Sequence, residues 1–398
     1  MIKKLYRNKL LILVLLLGLI IRILLNNVTY SKDAESFVIW SRYFQNHQLS
    51  QLYETLPSGY PPYPPTYYYV LKVLGAIGNA VNIWENIWLS KLLVKLPVFL
   101  SDITSAIIIF KLAKKWISKK HALVACAFYF LHPAIIYNTS VWGQIDSVIS
   151  ALCLLVIYLF IERRYIAAVF LYIFALTTKL QSFAILPLVA VLLYKSTSLI
   201  NISKLFLPLL ILVFILFYPI ISQKGLTWTT KYFYNLPNQY PYTSIYSYNI
   251  WSSRGFIRSD KDKFLNLIEY RYAGLALFWV TALLIAYPLL LKNLKQSQAP
   301  FFAGLLLFFC FYFFSTRIHS RYIIYTLGFF APFFPKYKLF GFFLSILVIA
   351  NFILPQKTDI FGIVKLLNSQ QFLMLFTLLG VVFLAVSSIL YRRLLSES

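Results

Sequence analysis

Two carboxylates stand two residues apart, just after the first apolar stretch of the chain. Asp33 and Glu35 belong to the segment S-K-D-A-E-S-F-V-I-W, and the whole chain of 398 residues has only 12 acidic residues. Asp33 could act as a general base beside a membrane, because a positioned carboxylate can take the proton of an attacking hydroxyl. In a purely structural interpretation, Asp33 caps the following helix and Glu35 is a solvated acid in its first turn. The local sequence leaves both interpretations open.

Cationic side chains stand in two other polar stretches. The segment T-T-K-L-Q-S contains Lys179, and T-R-I-H-S-R-Y contains His319 and Arg321. Arg can bind phosphate oxygens with two hydrogen bonds, Lys binds them as a point charge, and His adds a further donor. These three residues are therefore predicted to bind a phosphate group, that of the sugar donor considered below. The structural alternative is that Lys179 snorkels to the membrane interface and that the other stretch is a boundary cluster.

Aromatic and amide side chains in the remaining polar stretches could hold a sugar. Aromatic faces can pack against sugar rings, and amide groups can bind hydroxyls. The predicted sugar- and substrate-binding residues are Tyr60, Trp142, Gln144, Asp146, Gln181, Asn249 and Trp251. The structural alternatives are that Asp146 caps the next helix, that Trp142 is an interface anchor, and that the aromatic loop rests on lipid.

One acid together with several cations suits a particular transfer reaction. Glycoside hydrolysis generally needs two carboxylates, because a poor leaving group must be protonated. A sugar that leaves from a phosphate needs no such acid, since phosphate departs as a stabilised anion. The sequence has no G-x-G-x-x-G or P-loop motif that would indicate a nucleotide donor. A donor carried on a polyprenol would arrive through the bilayer, with Asp33 as the base and Glu35 supporting it or binding acceptor hydroxyls.

The elements that must position these residues are predicted to be membrane helices. The chain is 60% hydrophobic and 12% charged, with a mean hydropathy of +0.73, whereas typical globular domains are about a quarter charged. Its apolar runs are continuous rather than alternating, which favours helices over a barrel. The sequence therefore predicts an all-α polytopic membrane protein with about 12 transmembrane helices (roughly 11–13). Cys126, Cys153 and Cys310 lie inside apolar runs and are predicted to be core residues.

The placement of charge predicts the topology. The net charge of +25 comes largely from Lys and Arg in short turns between apolar runs, which is typical of topology signals rather than of nucleic-acid binding. These turns fall on one side with both termini only if segment 64–83 lies in the interface instead of crossing. The prediction is a single domain, 1–398, in the plasma (inner) membrane with cytoplasmic termini. Its external loops are 27–87, which carries Asp33, and 223–269. The first apolar run is predicted to be a retained helix, because no small-residue cleavage site follows it.

The polar stretches together resemble the GT-C superfamily of polyprenyl-phosphate-sugar-dependent glycosyltransferases. The nearest branch is the bacterial integral-membrane mannosyltransferases related to GPI mannosyltransferase II. The resemblance is carried by S-K-D-A-E-S-F-V-I-W, Y-P-P followed by T-Y-Y-Y, H-P-A-I-I-Y-N-T-S-V-W-G-Q-I-D-S, A-L-T-T-K-L-Q-S-F-A-I-L-P-L, Y-N-I-W and I-H-S-R-Y, in family order along nearly the whole chain. It implies a GT-C-type fold, an extracytoplasmic site, Asp33 as the catalytic acid residue, inversion at the anomeric carbon and a mannosyl or related donor.

The sequence departs from the family pattern at two positions, and these departures affect whether metal use can be inferred from the resemblance. Gly59 precedes Tyr60, where the family often has an acid, and the first loop reads D-A-E rather than Asp-Asp or Asp-x-Asp. No cofactor is therefore predicted, and a divalent metal is not favoured. The predicted partners are a polyprenyl-phosphate-linked sugar, with mannose favoured, a lipid or glycan acceptor, and the bilayer, without nucleic acid.

Two other functions remain as alternatives to this hexosyltransferase. A flippase or transporter of lipid-linked sugars would have polar residues near the middle of its spans, and Asp102 lies inside an apolar run. A glycan polymerase or ligase of the O-antigen type would also use a large external loop with Arg and His, but it would not require an acid in the first external loop.

Overall fold

The structure, a computed structural model, is nearly all-α: helices account for 78% of it. It describes residues 9–53, 63–292, 294, 297–355 and 362–397. In chain order the α-helices are α1 Lys9–Leu24, α2 Asp33–Tyr43, α3 Leu49–Leu52, α4 Pro65–Ala80, α5 Ile87–Trp116, α6 Lys119–Phe130, α7 Pro133–Ile136, α8 Asp146–Ile161, α9 Tyr165–Thr178, α10 Leu186–Ser196, α11 Leu199–Lys224, α12 Leu226–Asn235, α13 Tyr270–Leu291, α14 Ala299–Phe314, α15 Tyr325–Phe330, α16 Lys338–Ile353, α17 Ile363–Leu367 and α18 Gln370–Ser396.

Irregular helices and one small sheet complete the described structure. A π-helix, Tyr137–Trp142, follows α7 directly. The two strands β1 Lys263–Phe264 and β2 Ile268–Glu269 pair antiparallel, with Lys263 opposite Glu269. The 3₁₀-helices are Leu180–Ile185, Leu236–Gln239, Ser252–Arg254, Ser320–Ile324 and Ala331–Phe333.

Four described helices are long and apolar enough to cross a membrane: α5, α11, α13 and α18. The bent pair formed by α6 and the helical stretch Pro133–Trp142 makes a fifth if it is counted as one span. Several shorter helices, α8, α9, α14 and α16 among them, are also apolar. Helix α4 has 16 residues and is not one of the long apolar helices. The predicted class of a nearly all-α, apolar protein with helices able to cross a membrane is thus confirmed, whereas the 12 spans and the GT-C-type fold stay predictions.

The sequence sets several helix starts by simple capping chemistry. Helix α4 begins with Pro65 in its first turn, where a missing N–H costs nothing. Asn86 precedes α5, and its Oδ1 accepts a hydrogen bond from Leu89 N at 3.1 Å. Ser198 caps α11 by accepting from Asn201 N at 3.3 Å.

The chain divides into two compact units. The first comprises Met1–Ile108, Phe130–Phe183 and Ser196–Leu236. Within it α2 packs on α4, and α9 packs on α4, α8 and α11. Gly75 permits the approach of α4 to α2, because a Cβ there would lie 2.2 Å from the Ser41 carbonyl oxygen. The side chains of Phe37, Trp40 and Phe44 are buried together.

The second unit comprises Ile109–Tyr129, Ala184–Lys195 and Pro237–Ser398. Within it α14 packs on α13, α15 and α18, and nearly all of its side chains are buried. The sequence predicts a single domain, 1–398. That the two units act as one domain stays a prediction. Cys126, Cys153 and Cys310 are free and buried, which confirms their prediction as core residues.

Candidate functional site

The Asp33 carboxylate has two differently surrounded oxygens. Oδ2 accepts hydrogen bonds from Trp142 Nε1 at 2.9 Å and from Ser31 Oγ at 2.5 Å. The structure gives Oδ1 no hydrogen bond within the described part of the chain, and the side chain is partly exposed. Asp33 is the first residue of α2, the N-cap Lys32 makes no side-chain hydrogen bond to the helix, and Ser31 Oγ accepts from Asp33 N at 3.2 Å. The capping interpretation of Asp33 therefore does not hold: the carboxylate is oriented by its neighbours and keeps one oxygen accessible.

The π-helix Tyr137–Trp142 brings the Trp142 indole to Asp33. The extra residue per turn of a π-helix turns the side chains that follow, and such segments are frequent at functional sites. Tyr30 joins the two segments, since its N–H donates to Val141 O at 3.2 Å and its ring meets that of Trp142 edge-on, with centroids 4.8 Å apart. Asp33 and Trp142 are thus held together by backbone and ring contacts as well as by their own hydrogen bond.

Gly143 ends the π-helix in a left-handed conformation, with φ of +74° and ψ of 30°. A Cβ at this position would lie 2.8 Å from Ala34 Cβ, the side chain next to Asp33. Glycine is therefore needed here twice, for the backbone conformation and for the close approach of α2.

Glu35 lies one step further along α2 and is paired with a lysine. Its Oε1 is 3.3 Å from Lys91 Nζ in the first turns of α5, and the Glu35 side chain is 47% exposed. Glu35 is therefore a half-exposed acid beside Asp33, as the sequence predicted, but with a cationic partner that the sequence did not indicate.

The predicted phosphate ligand Lys179 is paired with the predicted sugar-pocket residue Asp146. Lys179 Nζ lies 2.5 Å from Asp146 Oδ1, and both side chains are buried. Ile145, not Asp146, is the N-cap of α8, so the capping interpretation of Asp146 does not hold either. The Lys179 ammonium also lies 5.9 Å from the centre of the Tyr63 ring.

Two glutamines stand near the same polar stretches in the sequence. Gln144 is buried and its N–H donates to Asn138 O at 2.9 Å. The Oε1 atoms of Gln144 and Gln181 are buried and accept no hydrogen bond from the described residues. Buried amide oxygens are strong acceptors, so both side chains keep the capacity to bind a hydroxyl donor. Their predicted role in sugar binding stays a prediction.

An aromatic cluster packs against the buried face of α2. Phe37, Tyr63 and Tyr67 contact one another, and the Phe37 and Tyr67 rings meet edge-on with centroids 5.6 Å apart. Burial raises the pKa of the Tyr67 and Tyr68 phenols above their ordinary value, so the cluster stays neutral. Tyr60, predicted as a substrate-binding residue, lies outside the described residues.

In the second unit, Asn249 and Trp251 hold a loop together. Asn249 Nδ2 donates to Thr243 O at 2.9 Å and to Ser315 O at 3.2 Å, and its Oδ1 accepts from Trp251 N. Trp251 Nε1 donates to Phe314 O at 2.7 Å. The polar groups of both buried side chains are occupied by the backbone, and their predicted contact with a sugar stays a prediction.

The segment Thr316–Tyr322 contains two arginines and a histidine. Arg317 adopts φ of +63°, and its Nε lies 2.6 Å from Oδ2 of the buried Asp260. His319 and Arg321, the predicted phosphate ligands, both approach the Tyr322 ring, at 6.2 Å between ring centroids and at 5.4 Å from the guanidinium. Arg317 thus has a structural role, and the other two residues share one short segment.

The predicted site residues are divided between the two compact units. The first unit contains Asp33, Glu35, Trp142, Gln144, Asp146, Lys179 and Gln181, and the second contains Asn249, Trp251, His319 and Arg321. Within the described residues, no three His, Cys, Asp or Glu side chains form a group that could hold a metal ion.

Sequence reasoning missed Ser31 and Lys91. Ser31 stands two residues before Asp33, but nothing in the sequence showed that its hydroxyl binds the carboxylate. Lys91 did give a signal, because a lysine at the external end of a predicted span opposes the usual distribution of positive charge.

Comparison with known proteins adds no family: no family model matches the chain, and no curated protein matches its sequence. The fold and the described site define a nearly all-α, apolar chain with helices able to cross a membrane and an oriented carboxylate at the start of α2.

Proposed function

We propose that this protein is an inverting membrane glycosyltransferase that moves a sugar, with mannose favoured, from a polyprenyl-phosphate-linked donor to an extracytoplasmic glycan or lipid acceptor. One observation carries the proposal. Asp33 is held through Oδ2 by two neutral donors, while Oδ1 is left without a hydrogen bond from the described residues. A general base needs this combination of fixed orientation and an accessible oxygen.

In the proposed reaction Asp33 Oδ1 takes the proton of an acceptor hydroxyl. The acceptor oxygen bonds to the anomeric carbon as the bond from that carbon to the phosphate oxygen breaks. The electron pair of the broken bond leaves on the phosphate, and attack from the opposite side inverts the anomeric centre. Polyprenyl phosphate is the second product, and Asp33 later returns its proton to water.

The finer assignments belong to the same proposal. The chain has a GT-C-type fold with about 12 spans, both termini in the cytoplasm and the site on the outer face of the plasma (inner) membrane. Glu35 binds acceptor hydroxyls, and Lys179 binds the donor phosphate. Donor binding by His319 and Arg321, in the second unit, stays a prediction from the sequence. The resemblance of the polar motifs and the distribution of Lys and Arg support these assignments.

The test is sugar transfer by the purified full-length protein from a polyprenyl-phosphate-linked mannose. Asp33→Asn keeps the shape of the side chain and removes the base, so turnover should fall about 10²–10⁴-fold. Asp33→Ala should lose at least as much. Glu85→Gln is the matched control, because it removes an exposed carboxylate between α4 and α5 and should leave turnover unchanged.

Near-normal turnover in both Asp33 variants, with folded protein, would refute Asp33 as the base. It would leave the O-antigen-type polymerase or ligase as the better alternative, since that class needs no acid in this loop.

A flippase or transporter of lipid-linked sugars is the second candidate, favoured by one observation. Arg22 and Asp102 form a fully buried ion pair at 2.9 Å, with Asp102 within the long apolar helix α5. Ionisable residues in a span often mark a transport path. However, Arg22 also donates to Gly18 O and Phe130 O, which is typical of a structural pair. Wild-type protein that moves lipid-linked mannose across vesicles without transferring it would favour the flippase.

A further inference from the structure

Lys91 lies against the helix that carries Asp33. It occupies the second turn of α5, its side chain is 11% exposed, and its ammonium contacts Glu35, two residues after Asp33. The Nζ–Oε1 distance of 3.3 Å is longer than the 2.5 Å of the Lys179–Asp146 pair. Glu35 is also half-exposed. Breaking the Lys91–Glu35 pair to bind another anion therefore costs less free energy than breaking the buried Lys179–Asp146 pair.

Lys95 places a second positive charge one helical turn further along α5. It is 1% exposed, and its Nζ donates to Asn26 O at 2.7 Å and to Ser140 O at 2.5 Å. Ser140 belongs to the π-helix that carries Trp142. Both described partners of Lys95 are backbone carbonyls, which carry no full negative charge.

Of the two lysines, only Lys91 contacts a carboxylate in the described part of the chain, and that partner, Glu35, is half-exposed. Asp33 begins the same helix, but its described partners are Ser31 and Trp142 rather than either lysine. Lys95 is buried against two backbone carbonyls, and the positive end of the α5 dipole adds to its potential. The region is therefore suited to stabilise the second negative charge that a phosphodiester gains when its sugar leaves.

We infer that Lys91 binds the phosphate of the lipid-linked donor, with Lys95 as a fixed positive charge behind it and Glu35 as the counter-ion that the phosphate displaces. The inference rests on the proposed function and names a phosphate ligand in addition to those predicted from the sequence. The flexible four-carbon stem of Lys91 lets its ammonium move from the carboxylate to a phosphate oxygen. In the transfer reaction it stabilises the charge that develops on the leaving phosphate.

The experiment measures binding of farnesyl phosphate and of farnesol to the purified full-length protein in detergent. The ratio of the two affinities isolates the contribution of the phosphate from that of the isoprenoid chain. Lys91→Gln should weaken farnesyl phosphate binding about tenfold or more, the size of a lost charge-assisted hydrogen bond, and leave farnesol binding unchanged. Lys91→Arg should retain the preference, because it keeps the charge.

Glu35→Gln provides a test of opposite sign. Removal of the counter-ion should strengthen farnesyl phosphate binding several-fold, whereas a merely structural salt bridge would make both variants less stable and change neither affinity ratio. Lys72→Gln is the matched control, because Lys72 is an exposed lysine on α4 in the same unit. The inference would be overturned if Lys91→Gln left the ratio of farnesyl phosphate affinity to farnesol affinity unchanged, or if Glu35→Gln lowered it.

These results separate the inference from the proposed function. Wild-type protein that transfers mannose, together with a Lys91→Gln variant of unchanged donor KM, would overturn the role of Lys91 and leave the transferase intact. Protein that shows the phosphate preference and its loss in Lys91→Gln, but transfers no sugar, would support the phosphate site and refute the transfer reaction.

Discussion

Three carboxylates of the first unit differ in the groups that bind them. Asp102 is paired with Arg22 and Asp146 with Lys179, and both pairs are buried. Asp33 instead receives hydrogen bonds from an indole and a hydroxyl, which are neutral donors. Asp102 and Asp146 are buried, so an acceptor hydroxyl does not reach their carboxylates, whereas the Asp33 side chain is partly exposed. Of the three, Asp33 is therefore the one suited to act as a base.

At this scale Trp142 is expected to act as a positioning residue for Asp33. Trp142→Phe keeps a ring against Tyr30 but removes the donor to Oδ2, a hydrogen bond to a charged group worth about 1.5–3 kcal/mol. We expect kcat to fall about 10–100-fold with little change in the acceptor KM, since the base is misplaced while the acceptor site is intact. Steady-state transfer kinetics measure this split.

Trp84→Phe is the control for this substitution. Trp84 is buried in the same unit, and its Nε1 has no hydrogen-bond partner among the described residues. Its replacement should leave kcat unchanged. A rise in KM without a fall in kcat for Trp142→Phe would assign Trp142 to the sugar pocket instead.

The junction of the π-helix with α8 is the element that sets the geometry of the site. It turns through Gly143 in a left-handed conformation and passes against Ala34 at the start of α2. A few residues of unusual backbone conformation thereby bring a tryptophan and an aspartate together. π-Helical segments within helices are frequent at functional sites.

Gly143→Ala should both destabilise the protein and reduce transfer. The left-handed conformation alone costs a non-glycine residue about 1–2 kcal/mol, and the new Cβ would meet Ala34 at 2.8 Å. We expect a larger fall in detergent unfolding temperature than in Gly362→Ala, together with a lower kcat. Gly362 has a similar φ of +71°, and a Cβ there would meet no atom of the described residues within 4 Å.

The comparison of the two glycine variants isolates the Ala34 contact from the backbone strain. Equal losses of stability, with unchanged kcat in both, would show that the approach of Gly143 to α2 does not shape the site.

At the scale of the whole molecule, the orientation in the membrane decides which face carries Asp33. The proposed topology places the loop 27–87 outside and the basic turn after α5 inside, because Lys and Arg are retained in the cytoplasm. The described cysteines are all buried, so a new surface cysteine can be labelled with little background.

Cysteines introduced at the two ends of α5 test this topology. We expect Glu85→Cys to react with a membrane-impermeant maleimide in intact spheroplasts and Lys120→Cys to react only after permeabilisation. Both positions are exposed and flank the helix Ile87–Trp116. The inverse labelling pattern would mean that segment 64–83 crosses the membrane. The external position of Asp33 would then rest on the first span alone.

The sequence by itself determined the class of the molecule and the residue to test first. Long apolar runs, scarce acids and basic turns are local properties, and each is readable without knowledge of how helices pack. The helical, apolar architecture and the buried cysteines could be predicted for this reason. The number of spans was not settled by the same pattern, because several apolar helices are shorter than a bilayer requires.

Only the tertiary structure decided which partner each charged residue has. Asp146 meets Lys179 across 33 residues, Glu35 meets Lys91 across 56, and Asp33 meets Trp142 across 109. Such pairs depend on how helices pack, and neither composition nor local spacing encodes that packing. The same holds for the π-helix that turns Trp142 toward Asp33. This is why the sequence could single out Asp33, whereas the donors that orient it became visible only in the folded chain.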